Sequence, residues 1–349
     1  MNKTLIVFSL SLVLPLLMLS QTDTVKAKFV DEQEAEKYYN IGIDNLNAKR
    51  IAEALNAFNK AIEVKPAFEK AYYNRGLTYQ DMLRNKEALD DFTKAIELNP
   101  NSDLYYYSRA QVKASGTDKD GAIEDYGKAI TLNPKNAEAC YYRGVLKFEK
   151  ENYAGASADF TMAIESKPDY AYALNDRGSA KRMLNDIPGA IQDYSKAIKA
   201  NPGLAFIYNN LGSVKKKNND LQGAVDAYTT AVTMKTDYFI AYNNRGIAKF
   251  DQGDFKGALS DFNKAILLNS EYAFAYNNRS AAKFKLLDYK GAVEDCSQAI
   301  KLNGAYGYAY MNRGIAKEML RDEKGSCQDM KKAIELGVDQ AKNYLSDCK

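Results

Sequence analysis

The sequence predicts an all-α fold, a solenoid of nine 34-residue helix–turn–helix units, on three observations. A small residue recurs every 34 residues without a slip, at Gly42, Gly76, Ala110, Gly144, Gly178, Gly212, Gly246, Ser280 and Gly314. With that residue as position 8 of a unit beginning at Ala35, position 27 is Ala in all nine units, from Ala61 to Ala333. Position 24 is Phe58, Phe92, Tyr126, Phe160, Tyr194, Tyr228 and Phe262, then Cys296 and Met330. Small residues thus stand where helices must approach and aromatic ones where a gap must be filled. One such unit cannot bury its own apolar face, so stability comes from stacking neighbours.

In chain order, residues 1–27 read as a secretory signal peptide. Lys3 supplies the positive start and Leu5 to Leu19 an apolar stretch interrupted by Ser9, Ser11 and Pro15, with cleavage after Ser20 or after Ala27. The stretch is short for a membrane span, which needs about 20 residues; an uncleaved signal anchor is the alternative. No Cys precedes Cys140, which argues against a lipid anchor. The expectation is an exported protein, periplasmic or secreted, without an integral membrane span after cleavage. Residues 28–34 form a short segment before the units, which begin at 35, 69, 103, 137, 171, 205, 239, 273 and 307 and run over 35–338. Residues 339–349 read as a capping helix. A polar turn such as Gln252-Gly253-Asp254 divides each unit. Pro66, Pro100, Pro134, Pro168 and Pro202 at position 32 close the first five, since Pro cannot continue a helix. Pro188 falls in the first turn of a second helix, where its missing N–H costs nothing.

These positions resemble the tetratricopeptide repeat family, whose signature sets a bulky residue, Gly, Ala, an aromatic, Ala and Pro at this spacing. Position 4 carries Tyr where the family often has Trp, apart from Cys140 and Leu174, and position 32 loses its Pro to Thr236, Ser270, Gly304 and Val338. The resemblance implies a right-handed superhelix whose first helices line a concave groove, chiefly through positions 2, 5, 6, 9, 12 and 13.

Position 5 changes from Tyr39, Tyr73, Tyr107 and Tyr141 to Asn175, Asn209, Asn243 and Asn277. Position 6 carries Asn40, Asn74, Asn210, Asn244, Asn278 and Asn312. Position 2 is apolar in the later units, as Tyr172, Phe206, Ile240, Phe274 and Tyr308, and Phe250 and Phe284 stand at position 12. A row of amides flanked by aromatics suits an extended peptide, each Asn donating to and accepting from its backbone. The alternative is that these amides bond to neighbouring helices. The stretch from Tyr276 to Phe284 also resembles part of a carboxylate clamp, but Asn243, Ile247, Tyr308 and Asn312 stand where its basic partners belong.

Position 7 is Arg75, Arg109, Arg143, Arg177, Arg245, Arg279 and Arg313, and position 23 in the same seven units is Asp91, Asp125, Asp159, Asp193, Asp261, Asp295 and Asp329. The two units without Arg, at Ile41 and Leu211, are the two without Asp, at Ala57 and Ala227. Removing one partner of a buried ion pair costs about 3–5 kcal/mol, whereas replacing both is often neutral. Joint loss therefore marks an ion pair buried between the two helices. Lys at position 11, from Lys113 to Lys317, reads as a surface residue lying along an apolar face. Cys140 and Cys296 read as small buried apolar residues. Cys327 and Cys348 are a candidate disulfide that would pin the capping helix.

The chain has no His, a net charge of +3 and no Gly-rich phosphate loop. These exclude imidazole catalysis and imidazole ligands for zinc and leave no basic field for nucleic acid. No enzyme activity, metal or small-molecule cofactor is expected. The expected function is a non-catalytic scaffold binding a protein or peptide segment in its groove. The alternative is a structural subunit or assembly factor of a cell-envelope complex, contacting partners through an edge or convex face.

Overall fold

The computed structural model describes residues 14–345, with side chains from residue 28. The described residues contain no strand. They form an α-solenoid that divides into two compact units, residues 1–152 and 153–349, within the fourth repeat. The first unit holds α1 (Leu14–Asn47), α2 (Ile51–Val64), α3 (Glu69–Asp81), α4 (Asn85–Leu98), α5 (Asp103–Ser115), α6 (Lys119–Leu132) and α7 (Ala137–Glu149). The second holds α8 (Tyr153–Ser166), α9 (Ala171–Met183), α10 (Ile187–Ala200), α11 (Ala205–Lys217), α12 (Leu221–Met234) and α13 (Phe239–Asp251). It continues with α14 (Phe255–Leu268), α15 (Ala273–Lys285), α16 (Tyr289–Leu302), α17 (Gly307–Met319) and α18 (Glu323–Glu335). Within each unit every helix packs on the next, and first helices of successive repeats also touch, as α11 does with α9 and α13. Helix α1 runs through residues 28–34 into the first repeat, because no Gly or Pro lies between residues 16 and 41.

Local chemistry fixes each turn. Outside repeat three, position 15 adopts the left-handed conformation: Lys49, Leu83, Glu151, Asn185, Asn219, Leu287 and Arg321 have φ of 58° to 66°, and Gly253 has 85°. Only at Gly253 does this avoid the Cβ penalty of roughly 1 kcal/mol. Asp118, Asp186, Asp220, Asp254, Asp288 and Asp322 then cap the second helices, each accepting from the N–H of a glycine three residues on at 2.9–3.0 Å. Between repeats, Asn99, Asn133, Asn201, Asn269 and Asn303 accept from the N–H two residues on at 3.0–3.2 Å. Asn269 and Asn303 thus hold the connector where Ser270 and Gly304 replace Pro.

The core of a repeat is the closure of position 8 on position 24. A Cβ on Gly246 would lie 2.6 Å from Phe262 Cε1, and one on Gly212 2.7 Å from Tyr228 Cε1. In repeat eight Ser280 fits because Cys296 replaces the ring; Cys296 Sγ donates to Ser280 Oγ at 3.1 Å. At the end, Gly337 (φ 86°) stops α18, and Asp339–Tyr344 forms a 3-10 helix. It is seated by Val338 and Ala341 against Met330 and Ala333. Cys348 of the candidate Cys327–Cys348 bridge lies outside the described residues, as do residues 1–13 of the segment read as a signal. No helix among the described residues is long and apolar enough to cross a membrane.

Gly246→Ser is expected to destabilise the protein by about 1–3 kcal/mol through overpacking. Combined with Phe262→Cys, the pair should cost less than the sum of the single changes in denaturant unfolding. Strict additivity would show that ring and glycine do not meet.

Candidate functional site

The first-helix face is positioned by a polar cluster behind it. Arg245 Nε and Nη2 donate to Asp261 Oδ2 and Oδ1 at 2.9 and 2.6 Å, with the guanidinium 5.5 Å from the Tyr242 ring centre. Its Nη1 donates to Thr229 Oγ1 of the preceding repeat at 3.2 Å. The structure likewise joins Arg75 to Asp91, Arg109 to Asp125, Arg177 to Asp193, Arg279 to Asp295 and Arg313 to Asp329. These arginines also reach Asn59, Thr93, Thr161, Asn263 and Ser297 of the preceding repeats. Arg143 and Asp159 belong one to each unit.

Position 11 departs from the surface placement expected of it. Lys113, Lys181, Lys249, Lys283 and Lys317 fold inward onto Asp125, Asp193, Asp261, Asp295 and Asp329 at 2.8–3.0 Å. The four-carbon stem is long enough to reach a carboxylate that the guanidinium leaves partly unsatisfied. In repeat six, where that Asp is Ala227, Lys215 turns to Asp220 at 3.5 Å. At Asp193 the second cation contributes to the carboxyl's pKa. Burial pushes Asp193 up, but hydrogen bonds from Arg177 and Lys181 outweigh it and hold the group below the ordinary range. Asp91 has Tyr79 at the lysine position; burial outweighs Arg75 and the group lies above the ordinary range.

The two asparagine rows are linked between repeats. Asn210, Asn244, Asn278 and Asn312 each donate through Nδ2 to the Oδ1 of Asn175, Asn209, Asn243 and Asn277 in the repeat before, at 2.9–3.0 Å. The acceptors are buried, at most 8% exposed. In the first unit the same link runs from Asn74 to the Tyr39 hydroxyl at 3.1 Å and between Tyr73 and Ser108 at 3.3 Å. The second row is half-buried, and each of its amides keeps one N–H and its Oδ1 beyond this link.

Beside that row, Tyr172, Phe274 and Tyr308 are about half exposed and Ile240 somewhat less. Phe206 stacks on Tyr172 with ring centres 5.9 Å apart. Phe250 and Phe284 are drawn back, edge-on to Phe255 and Tyr289 at 5.1 and 5.2 Å. They serve the core more than the face. Sequence reasoning missed the position-11 lysine because its long stem allows a surface or an inward placement, and the position-25 partner because a contact between different repeats has no sequence spacing until the stacking angle is known.

Models of the tetratricopeptide repeat match residues 69–102, 107–170, 141–205, 207–238 and 239–272, and a TPR repeat model matches 48–82. The chain belongs to the tetratricopeptide repeat family. No curated protein matches it. Among solved structures this tetratricopeptide repeat protein is similar to the Cut9–Hcn1 hetero-tetramer of the APC/C, with a TM-score of 0.56 and 15% identity over 89% of this chain and 75% of that one. A tetratricopeptide repeat protein from Parabacteroides merdae gives 0.51 and 20%, over 72% and 99% of the two chains. Pseudomonas aeruginosa pilF gives 0.51 and 18%, over 59% and 94%. At these identities the likeness shows the fold alone.

Lys181→Met is expected to carry the Asp193 carboxyl from below to above the ordinary range, read by carboxyl 13C NMR titration. A carboxyl depressed in the folded state contributes stability that is present above its unfolded pKa of about 3.9 and lost as pH falls through the folded value. The variant should therefore be less stable at neutral pH, with the gap to wild type closing below about pH 4. A gap constant from neutral pH to about pH 3 would contradict this assignment.

Proposed function

We propose that the protein is a non-catalytic scaffold that binds a partner segment along the first-helix face of repeats five to nine. The observation that carries this reading is the exposed aromatic stripe of Tyr172, Phe274 and Tyr308 beside half-buried amides with hydrogen-bonding capacity to spare. Large apolar side chains left exposed in register, rather than singly, are what a binding face retains. An extended segment would lay side chains between the rings while Asn210, Asn244, Asn278 and Asn312 bond its backbone. The apolar start of the chain supports export to the periplasm or beyond.

Photo-crosslinking in cells tests both parts. A benzoylphenylalanine at position 274 should give a discrete adduct recovered with the envelope fraction, and one at Leu267 on α14 should give none. Adducts at 267 alone would favour an assembly subunit that contacts its partners through second helices. Adducts confined to the cytosol would count against export.

A further inference from the structure

A cleft of about 320 Å³ opens in the first unit between α5, α6 and α7. Gln111 and Ala114 line it from α5, Tyr126 from α6, and Tyr142, Leu146 and Glu149 from α7. Repeat seven shows how an aromatic side chain of the chain itself can fill this place. There Phe250 packs with Ile247 against the buried Phe262 and Ala282, and Phe255 meets its ring edge-on. In repeat eight Phe284 and Tyr289 pair in the same way. At the matching positions repeat three has Ala114 for the ring and Lys119 for its edge partner. The cleft is therefore the space of a missing aromatic side chain.

Its floor carries a second anomaly. The position-24 tyrosines Tyr194 and Tyr228 are held by Ser179, at 3.0 Å, and by Ser213. Tyr126 is only 1% exposed, yet its hydroxyl has no protein partner among the described residues and opens on the cleft. Gln111 occupies the serine position but donates its Nε2 to the Tyr107 hydroxyl at 3.0 Å, which leaves its Oε1 as an acceptor. The Tyr126 hydroxyl thus reaches the cleft with its donor and acceptor capacity open to an occupant, so the site suits a group that can both fill the space and bond there. Tyr142 forms a wall, stacked on Tyr126 at 6.2 Å. Among the described residues lining the cleft Glu149 is the one charge, and Lys119 already pairs with it at 2.6 Å. The lining thus selects for a neutral ligand.

We propose that this cleft is a pocket for an aromatic side chain of the bound partner, a tyrosine in preference to a phenylalanine. Its ring takes the place that Phe250 and Phe284 fill from within their own repeats. Its hydroxyl donates to Gln111 Oε1 and accepts from the Tyr126 hydroxyl. The inference rests on the groove reading only for the source of that side chain. It is tested with single amino-acid probes that need no groove.

The probes are N-acetyl-tyrosinamide, N-acetyl-phenylalaninamide and N-acetyl-argininamide, added at millimolar concentration to the 15N-labelled full chain. The tyrosine probe should shift the amides of residues 111–115 and 142–149, the phenylalanine probe should shift them less, and the arginine probe not at all. Ala114→Phe should restore the internal ring and abolish these shifts. Gln111→Leu, which leaves the cleft open, should weaken the tyrosine probe and spare the phenylalanine probe. Equal response to the arginine probe, no shift in this region, or undiminished shifts in both variants would overturn the proposal. None of those results touches the asparagine and aromatic rows of repeats five to nine.

Discussion

Six of the position-7 arginines, Arg75, Arg109, Arg177, Arg245, Arg279 and Arg313, each hold three helices together, and the rest of the repeat is arranged around that fork. The side chain leaves a first helix, grips an aspartate on the second helix of its own repeat, and reaches a side-chain oxygen on the second helix before it. Arg245 with Asp261 and Thr229 is one example. The guanidinium is planar with donors in fixed directions, so satisfying both neighbours sets how one repeat sits on the last. Lys249 completes the neutralisation of the carboxylate. In repeat six Leu211 cannot fork. Its neighbours differ with it: Ala227 replaces the aspartate and Lys215 turns to Asp220.

With that register fixed, the first helices come close enough for asparagine to bridge them. Asn209 and Asn244 join α11 to α13, and Asn243 and Asn278 join α13 to α15. These bonds bury the position-5 amides and turn the position-6 amides sideways, with the position-2 aromatics exposed alongside. Stacking therefore leaves one N–H and the Oδ1 of each position-6 amide outside the bridges. The arginine–aspartate–lysine clusters lie behind the face, which carries apolar surface with amide groups beside it.

The sequence made the period, the helix pairs and the arginine–aspartate pairing legible, the last because Leu211 and Ala227 change together. A contact within one repeat leaves such a trace. Lys249 left none, since its stem allows either a surface or an inward placement, and only the carboxylate's unsatisfied oxygen decides. The asparagine bridges were open to two readings for the same reason: a bond from residue 244 to residue 209 depends on the angle between repeats. The cleft beside Tyr126 was equally hidden. Ala114 is unremarkable until the packing of Phe250 shows which ring it lacks.

The central claim is that the asparagine bridges hold the stack while the aromatic stripe is free for a partner. Scanning calorimetry on two triple variants of the full chain tests it most directly. Asn209→Ala, Asn243→Ala and Asn277→Ala together should lower the unfolding midpoint by several degrees, since each leaves a half-buried amide unbridged. Tyr172→Ser, Phe274→Ser and Tyr308→Ser together should lower it far less. A stripe variant that unfolds at a lower temperature than the bridge variant would contradict the account.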